Sequence, residues 1–250
     1  MASTYLTRTQ ANGNRKTWTW SAWIKVAQTS GAQRLFLGHN NTHPSTQINI
    51  ETGSIDNQFT TYNYDGATTN YILQTNRTLR DTSGWYHLVV STDTTQATAS
   101  DRIKMYVNGV QETSFNQSNY PSQNFDTQMN NNSAIAQVSG GGTPASPFNG
   151  SMSHIHFIDG TAYDASAFGE TDATTGIWKP KTNPSVTYGT NGFFLKFENS
   201  GAFGTDSSGN ANTFTVNGTM TQTIDTPSNV FATMNPLASQ SGSSSSSSAF

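Results

Sequence analysis

Four glutamates, Glu51, Glu112, Glu170 and Glu198, are the first residues to test for chemistry. Hydrolysis of a glycosidic bond needs two carboxyl groups facing each other across a cleft, about 5–9.5 Å apart. Only Glu170 and Asp172 come close to sharing one strand face, and they fall in a stretch that reads as a loop. Five histidines are present, and His154 and His156 alternate, so both project from one face of a strand. Such a pair is half of a transition-metal site and needs converging partners to complete it. The simpler reading makes them outward polar residues opposite buried Ile155 and Phe157. His87, beside Trp85 and Tyr86 in an apolar strand, reads as a hydrogen-bonded structural residue, and spacing alone assembles no Ser/His/Asp triad. Asp206-Ser207-Ser208-Gly209-Asn210 offers hard oxygen ligands around a glycine turn, so a structural calcium ion is one reading. An Asx-type turn closed by the Asp206 and Asn210 side chains is the other, and it needs nothing else. Asp93 and Asp101, at the ends of one loop, are weaker candidates. Sugar binding takes exposed aromatics with polar neighbours, and Tyr62, Tyr64, Asp65, Tyr71 and Tyr120 occupy polar, loop-like contexts. These tyrosines serve equally well as caps on the core edges or as packing between subunits.

The elements that would hold these residues are strands. Trp85 to Val90 is rich in aromatic and β-branched residues, which suit a pleated, half-buried surface. Ile103, Met105 and Val107 alternate with Lys104 and Tyr106, and Asn108-Gly109 then predicts a tight turn into a short strand at Val110. Trp18, Trp20, Ala22 and Ile24 share one face of a strand, with Thr19, Ser21, Trp23 and Lys25 on the other. Gln47 to Ile50 and Gln58 to Tyr62 predict a hairpin around a Gly53-Ser54 turn. Tyr71 to Leu73, Ser133 to Val138, Phe148 to Ile158, Phe193 to Glu198 and Thr213 to Val216 read as further strands. The Asn/Gln/Ser-rich stretch 116–132 reads as a long loop, and a polar segment, 74–83, follows the Tyr71 to Leu73 strand. No window carries helical periodicity. Strands and turns at this spacing predict an all-β, antiparallel sandwich.

Composition narrows the partners. Hydrophobic residues make up 33% of the 250 and charged residues 11%, both low for a globular chain, while aromatics reach 11%. Thr, Ser, Asn, Gln and Gly fill the balance, which fits polar strand faces around an aromatic core. The net charge of −3 comes with no Lys/Arg cluster, which excludes phosphate-driven nucleic-acid binding. No apolar run nears the roughly 18 residues of a membrane span, and residues 1–18 contain no signal-peptide h-region. Cysteine is absent, so no disulfide is needed to hold the core.

The stretches GWYHLVVSTD and DRIKMYVNGV, with WTWSAWIK and FNGSMSHIHFI, resemble the central strands of laminin-G-like, concanavalin-A-like jelly rolls. The resemblance follows the family's order over roughly residues 2 to 165. FFLKFENSGAFGTDSSGNANTFTVNG is similar to the opening of many concanavalin-A-like domains, although here it comes last. Some members of that family are glucanases that use an E-x-D-x-x-E strand. Here Glu170 and Asp172 are followed by Thr175 at the third position, so the resemblance implies a binding rather than a cleaving domain. In wording, the whole chain is similar to jelly rolls of tailed-phage virion proteins, especially those of marine phages. That resemblance implies a non-enzymatic virion component, a fibre or decoration module. It would be assembled in the host cytoplasm with other capsid or tail proteins, as a homo-oligomer, and would contribute to attachment to host-surface glycans. A purely architectural protein is the alternative, and a glycan-cleaving enzyme a distant third. In a fibre trimer, His154 and His156 from three chains would meet at the axis.

The expected organisation is a laminin-G-like sandwich over 1–165, additional strands and loops over 166–226 packing on the same sandwich, and a tail over 227–250. The serine run Ser243 to Ser248 marks that tail as a flexible linker.

Overall fold

The structure is a computed structural model, and it describes residues 4–40, 43–51, 57–140 and 146–228. The Gly53-Ser54 turn and the serine-rich tail lie outside the described residues. Among the described residues sixteen strands carry the fold, with two short 3-10 turns at Ala99–Asp101 and Ala165–Ala167. They are β1 Tyr5–Thr9, β2 Thr17–Val26, β3 Gln33–His39, β4 Ser45–Glu51, β5 Gln58–Tyr64, β6 Thr69–Thr78, β7 Tyr86–Asp93 and β8 Ile103–Val107. There follow β9 Val110–Gln111, β10 Phe115–Asn119, β11 Ile135–Val138, β12 Gly150–Asp159, β13 Gly169–Thr171, β14 Trp178–Pro180, β15 Phe193–Leu195 and β16 Thr215–Asn217.

One sheet has eight strands in the order β10-β6-β5-β4-β3-β11-β1-β16, and the other has six in the order β15-β12-β2-β7-β8-β9. Every pairing between these strands is antiparallel, as the alternation predicted for a sandwich. The inner faces meet in one aromatic core. Trp18, Trp20, Ala22 and Ile24 on β2 are each 0% exposed, against Phe36 on β3 and Phe157 on β12. Phe36 bridges the sheets, with ring centroids 6.4 Å from Trp20 and 5.5 Å from Phe157. Of the two core tryptophans on β2, Trp18 Nε1 donates to Thr127 Oγ1 at 3.0 Å, whereas Trp20 Nε1 is buried with no hydrogen-bond partner among the described residues.

The outer face of β2 is buried too. Thr19, Ser21 and Trp23 are covered by residues 160–190, which form a second small core. There Phe168, Tyr163, Trp178 and Tyr188 pack on Val89, Tyr106 and Ile158, and the hairpin β13–β14 is part of the cover. Asn108 and Gly109 turn β8 into β9 with φ of 50° and 82°. A side chain at Gly109 would meet the Trp178 ring at 2.8 Å, so the glycine serves both the turn and this close approach.

Residues 166–226 contribute strands to both sheets: β15 pairs with β12, and β16 pairs with β1. Two expectations are corrected. The stretch 116–132 is not wholly loop, because Phe115–Asn119 pairs with β6 as an edge strand. The Phe193 strand stops at Leu195, and two residues on, Phe197 takes a left-handed φ of 61° that breaks the extended run. The polar segment from Gln74 is strand as far as Thr78.

Candidate functional site

Antiparallel pairing brings the last residues of β11 and β15, the first residues of β1 and β12, and the entry to β7 to one end of the sandwich. A cleft of about 660 Å³ opens there, within the usual size range of small-molecule sites. Its floor is apolar: Phe148, Met152, Phe197 and Met220 pack against the main core from below and line the cleft from above. Trp85 and Phe203 complete the aromatic surface, with Phe203 6.5 Å from Phe197 between centroids.

One wall is the segment 219–226, a strap that follows β16 and is fastened at discrete points. Thr4 Oγ1 donates to the Thr219 carbonyl at 2.9 Å, and Gln222 Nε2 donates to the carbonyls of Phe197 and Glu198 at 2.8 and 3.0 Å. Asp225 is the main clip. Lys25 Nζ stands 2.7 Å from its Oδ2, and Trp85 Nε1 donates to its Oδ1 at 3.1 Å. Burial works to raise the Asp225 pKa, but the hydrogen bonds from Lys25 and Trp85 and the lysine charge outweigh it, leaving the net value below the ordinary one. Opposite, Lys196 lies 3.8 Å from Glu198 and 5.4 Å above the Phe194 ring. Burial pushes the pKa of His154 down against the opposing pull of Glu198, so this wall carries a neutral imidazole at pH 7.

Backbone strain gathers around the cleft. Five described residues other than Gly and Asn have left-handed φ, and three of them, Ser139 (60°), His154 (46°) and Phe197 (61°), line it. Such conformations cost on the order of 1–3 kcal/mol each and persist where surrounding structure enforces them, characteristically at functional sites. Two local devices enforce them here. A bulge in β12 between Ser153 and His156 swings His154 out, and Ser139 Oγ accepts from the Phe148 N–H at 3.2 Å.

The sugar and metal candidates expected from sequence fall elsewhere, with one exception. Tyr71 is 0% exposed, its ring edge-on to Phe125 at 5.8 Å, so it is a core residue and cannot stack on a sugar. Tyr120 is half-buried and packs against the same core. Tyr62 and Tyr64 share the outward face of β5, where Tyr62 OH donates to Gln47 Oε1 at 2.9 Å and Tyr64 OH to the Gly66 carbonyl at 3.0 Å. The Asp65 carboxylate accepts from the Thr68 and Ala67 N–H groups, Thr68 Oγ1 and Asn70 Nδ2, which hold its pKa well below the usual range. It closes its own turn rather than facing a ligand. Of the sugar and metal candidates only His154 belongs to the cleft, and of the four glutamates Glu198 lines it.

The metal readings fare no better on donor geometry. Asp206 accepts from the N–H groups of Phe194, Ser208 and Asn212 and from Ser208 Oγ. Asn210 Nδ2 donates to the carbonyls of Gly189 and Gly192, so the loop presents hydrogens to its own carboxylate, as the Asx-type reading requires and a calcium site does not. His156 is 1% exposed, stacked 3.9 Å from Phe194, with Nδ1 2.9 Å from Tyr188 OH. Buried so, it cannot reach an axis shared with other chains, and it is not the outward residue that simple alternation predicts. His154 Nδ1 is 2.7 Å from Ser153 Oγ. Among the described residues, no three His, Cys, Asp or Glu side chains group to hold a metal ion. Asp93 caps Thr95 and Gln96, and Asp101 pairs with Lys104 at 3.1 Å.

The catalytic geometries can be tested in the same way. Glu170 and Asp172 sit on the exposed hairpin and share Lys179, at 3.8 and 2.8 Å, with Asp172 also closing the turn to Thr175. Ser21 Oγ does lie 2.8 Å from His87 Nε2, a pair that sequence spacing did not reveal. Trp178 Nε1 donates to His87 Nδ1 at 3.0 Å, however, so the imidazole proton is on Nε2 and points at the serine. A histidine that donates to serine cannot take its proton. In the cleft, Asp225 is held ionised, the reverse of what a general acid needs.

The profile of the concanavalin A-like lectin/glucanases superfamily matches residues 1–167. The chain belongs to that superfamily. No curated protein matches its sequence. Among solved structures, the lectin-like fold is shared with a Bacteroides ovatus protein provisionally described as carbohydrate binding. The two are 16% identical over 91% of this chain and 62% of that one, with a TM-score of 0.52. A heptameric SAP-like pentraxin of Limulus polyphemus is 13% identical over 65% of this chain and 72% of its own, with a TM-score of 0.47. The enzymatically active domain of tailspike protein 2 of bacteriophage CBA120 is 10% identical over 66% of this chain and 25% of its own, with a TM-score of 0.44. At 16% identity the likeness to the Bacteroides ovatus protein is one of fold.

Proposed function

We propose that this lectin-like domain is a non-enzymatic glycan-binding module, and that the cleft at the strand ends is its binding site. The observation that carries the reading is Trp85. It lines an aromatic-floored cleft, half-buried and held by the hydrogen bond to Asp225, amid side chains able to bond hydroxyls: Gln222, Lys196 and Glu198. A rigid aromatic plane beside a few planar polar groups suits a pyranose, with one apolar face and a hydroxylated rim. The test is binding of labelled protein to an array of bacterial surface glycans, beside Trp85→Ala. A discrete bound set lost in the variant supports the reading, and a set bound equally by both overturns it.

The finer proposal is that the module is exposed on a phage particle and contributes to host attachment. It rests on the wording of the WTWSAWIK and GWYHLVVSTD stretches and on the polar, cysteine-free composition. Immunogold labelling of intact particles, with the cleft end accessible, supports it; absence of the protein from purified particles overturns it.

A further inference from the structure

Granted that the cleft binds a glycan, its lining carries information about which class. Lys25 faces Asp225 and Lys196 faces Glu198, so each carboxylate on the wall has its own cation and no net charge is left to attract an acidic or amino sugar. The floor is the unusual part. Beside the flat rings lie two thioethers, Met152 and Met220, with Phe148 and Phe197 around them. A bare pyranose needs a flat ring for its apolar face and hydrogen-bonding groups for its hydroxyls; Trp85 and the rim supply both. Thioethers and phenyl edges offer hydroxyls nothing, and a hydroxyl pressed onto them gives up its hydration without return. They suit a methyl group, because methionine is polarizable and adapts to small apolar shapes.

We infer that the cleft reads uncharged glycans whose sugars carry a methyl group, either 6-deoxyhexoses or N-acetylhexosamines, with the methyl seated on Met152 and Met220. One methyl in such a pocket is worth roughly 10- to 200-fold in selectivity.

The experiment is a glycan array built in matched pairs that differ at one substituent, CH3 against CH2OH in the deoxy arm and NHCOCH3 against OH in the acetyl arm. Rhamnosides are set against mannosides of the same hand, fucosides against galactosides, and chito-oligosaccharides against cello-oligosaccharides, with uronic-acid oligomers as the charged arm. Affinities of the bound pairs are then measured by titration calorimetry for the native protein, Met220→Thr and Met152→Thr. The expected result is at least tenfold preference for the methylated member, in the deoxy or the acetyl arm, reduced severalfold by either methionine substitution. Equal binding of both members, or preference for uronic acids, overturns the inference while leaving the cleft a glycan site. Binding to no glycan overturns the inference together with the reading it rests on. Should one methionine variant fail to fold, the other and the native preference still decide.

Discussion

Trp85 and Trp178 both touch the outward face of the six-stranded sheet, yet they have opposite tasks. Trp85 turns toward solvent and the cleft, whereas Trp178 seals a buried contact by donating to His87 Nδ1. Trp178→Phe keeps most of the ring but leaves that nitrogen buried and unpartnered, a loss of about 1–3 kcal/mol. Urea unfolding should show a lower midpoint by that amount, with glycan binding retained. If the stability is unchanged, the assigned tautomer is wrong. Part of this was legible beforehand. Alternation places Trp85, His87 and Val89 opposite the core-facing Leu88 and Val90, which flags Trp85 as a tryptophan off the main core. The tyrosines misled because a polar neighbourhood in sequence is no measure of exposure: Tyr71 follows Asn70 yet points inward, as its register opposite Asn63 requires. His156 went astray for a related reason, since no pattern within β12 foretells that residues 160–190 will cover it.

At the scale of elements, the strap 219–226 is the part of the site with least support of its own. Among the described residues it forms no strand, only a β-bridge at Thr226, and it is held by Thr4, Gln222 and Asp225 and by Met220 packed on the core. Asp225→Asn removes the ion pair with Lys25. At this partly exposed position the loss of global stability should stay under about 1 kcal/mol. The local effect should be larger. Amide hydrogen exchange across 219–226 should rise while β12 and β15 stay protected, and glycan affinity should fall severalfold. Unchanged exchange would mean that the strap is held by something other than this clip. The paired strands were readable wherever one face is apolar, as in β2, β4, β8 and β12. They were not readable at edge strand β10, where Asn116 and Gln117 bond to the side chains of Gln58 and Gln74 and the backbone ladder alone makes the strand. The bulge in β12 has no sequence signature at all, and the cleft depends on it.

Over the whole molecule, residues 166–226 are proposed to belong to one folding unit with the sandwich, since Phe193, Leu195 and Phe214 lie in the same core as Trp20 and Phe36. A chain ending at residue 165 should therefore lose its near-ultraviolet dichroism and sharp thermal transition; a cooperative fold in that fragment would contradict a single core. Acid should weaken the intact molecule early. Burial lowers the pKa of His87 to about 3, and those of His154 and His156 also lie below the ordinary 6.5. Below about pH 6.5 the unfolded chain therefore binds protons that the folded chain refuses, and stability falls as pH drops through the window from about 6.5 toward 3. Each such group contributes up to about 1.4 kcal/mol per pH unit. Unfolding midpoints measured between pH 7 and 4.5 should decline, the histidines outweighing Glu51, whose carboxyl burial pushes up and which works in the opposite sense; a flat profile would contradict the buried, neutral histidines. The central claim concerns location, that ligand is held at the strand ends by Trp85 and not on the sheet face by Tyr62 and Tyr64. The most direct test is to titrate an isotope-labelled sample with a glycan it binds and follow the indole N–H of Trp85 by NMR. The account predicts that this signal and the amides of 196–198 and 219–226 shift together, with those of β4 and β5 unmoved. Shifts gathered around Tyr62, Tyr64 and Asp65, with Trp85 still, would contradict it.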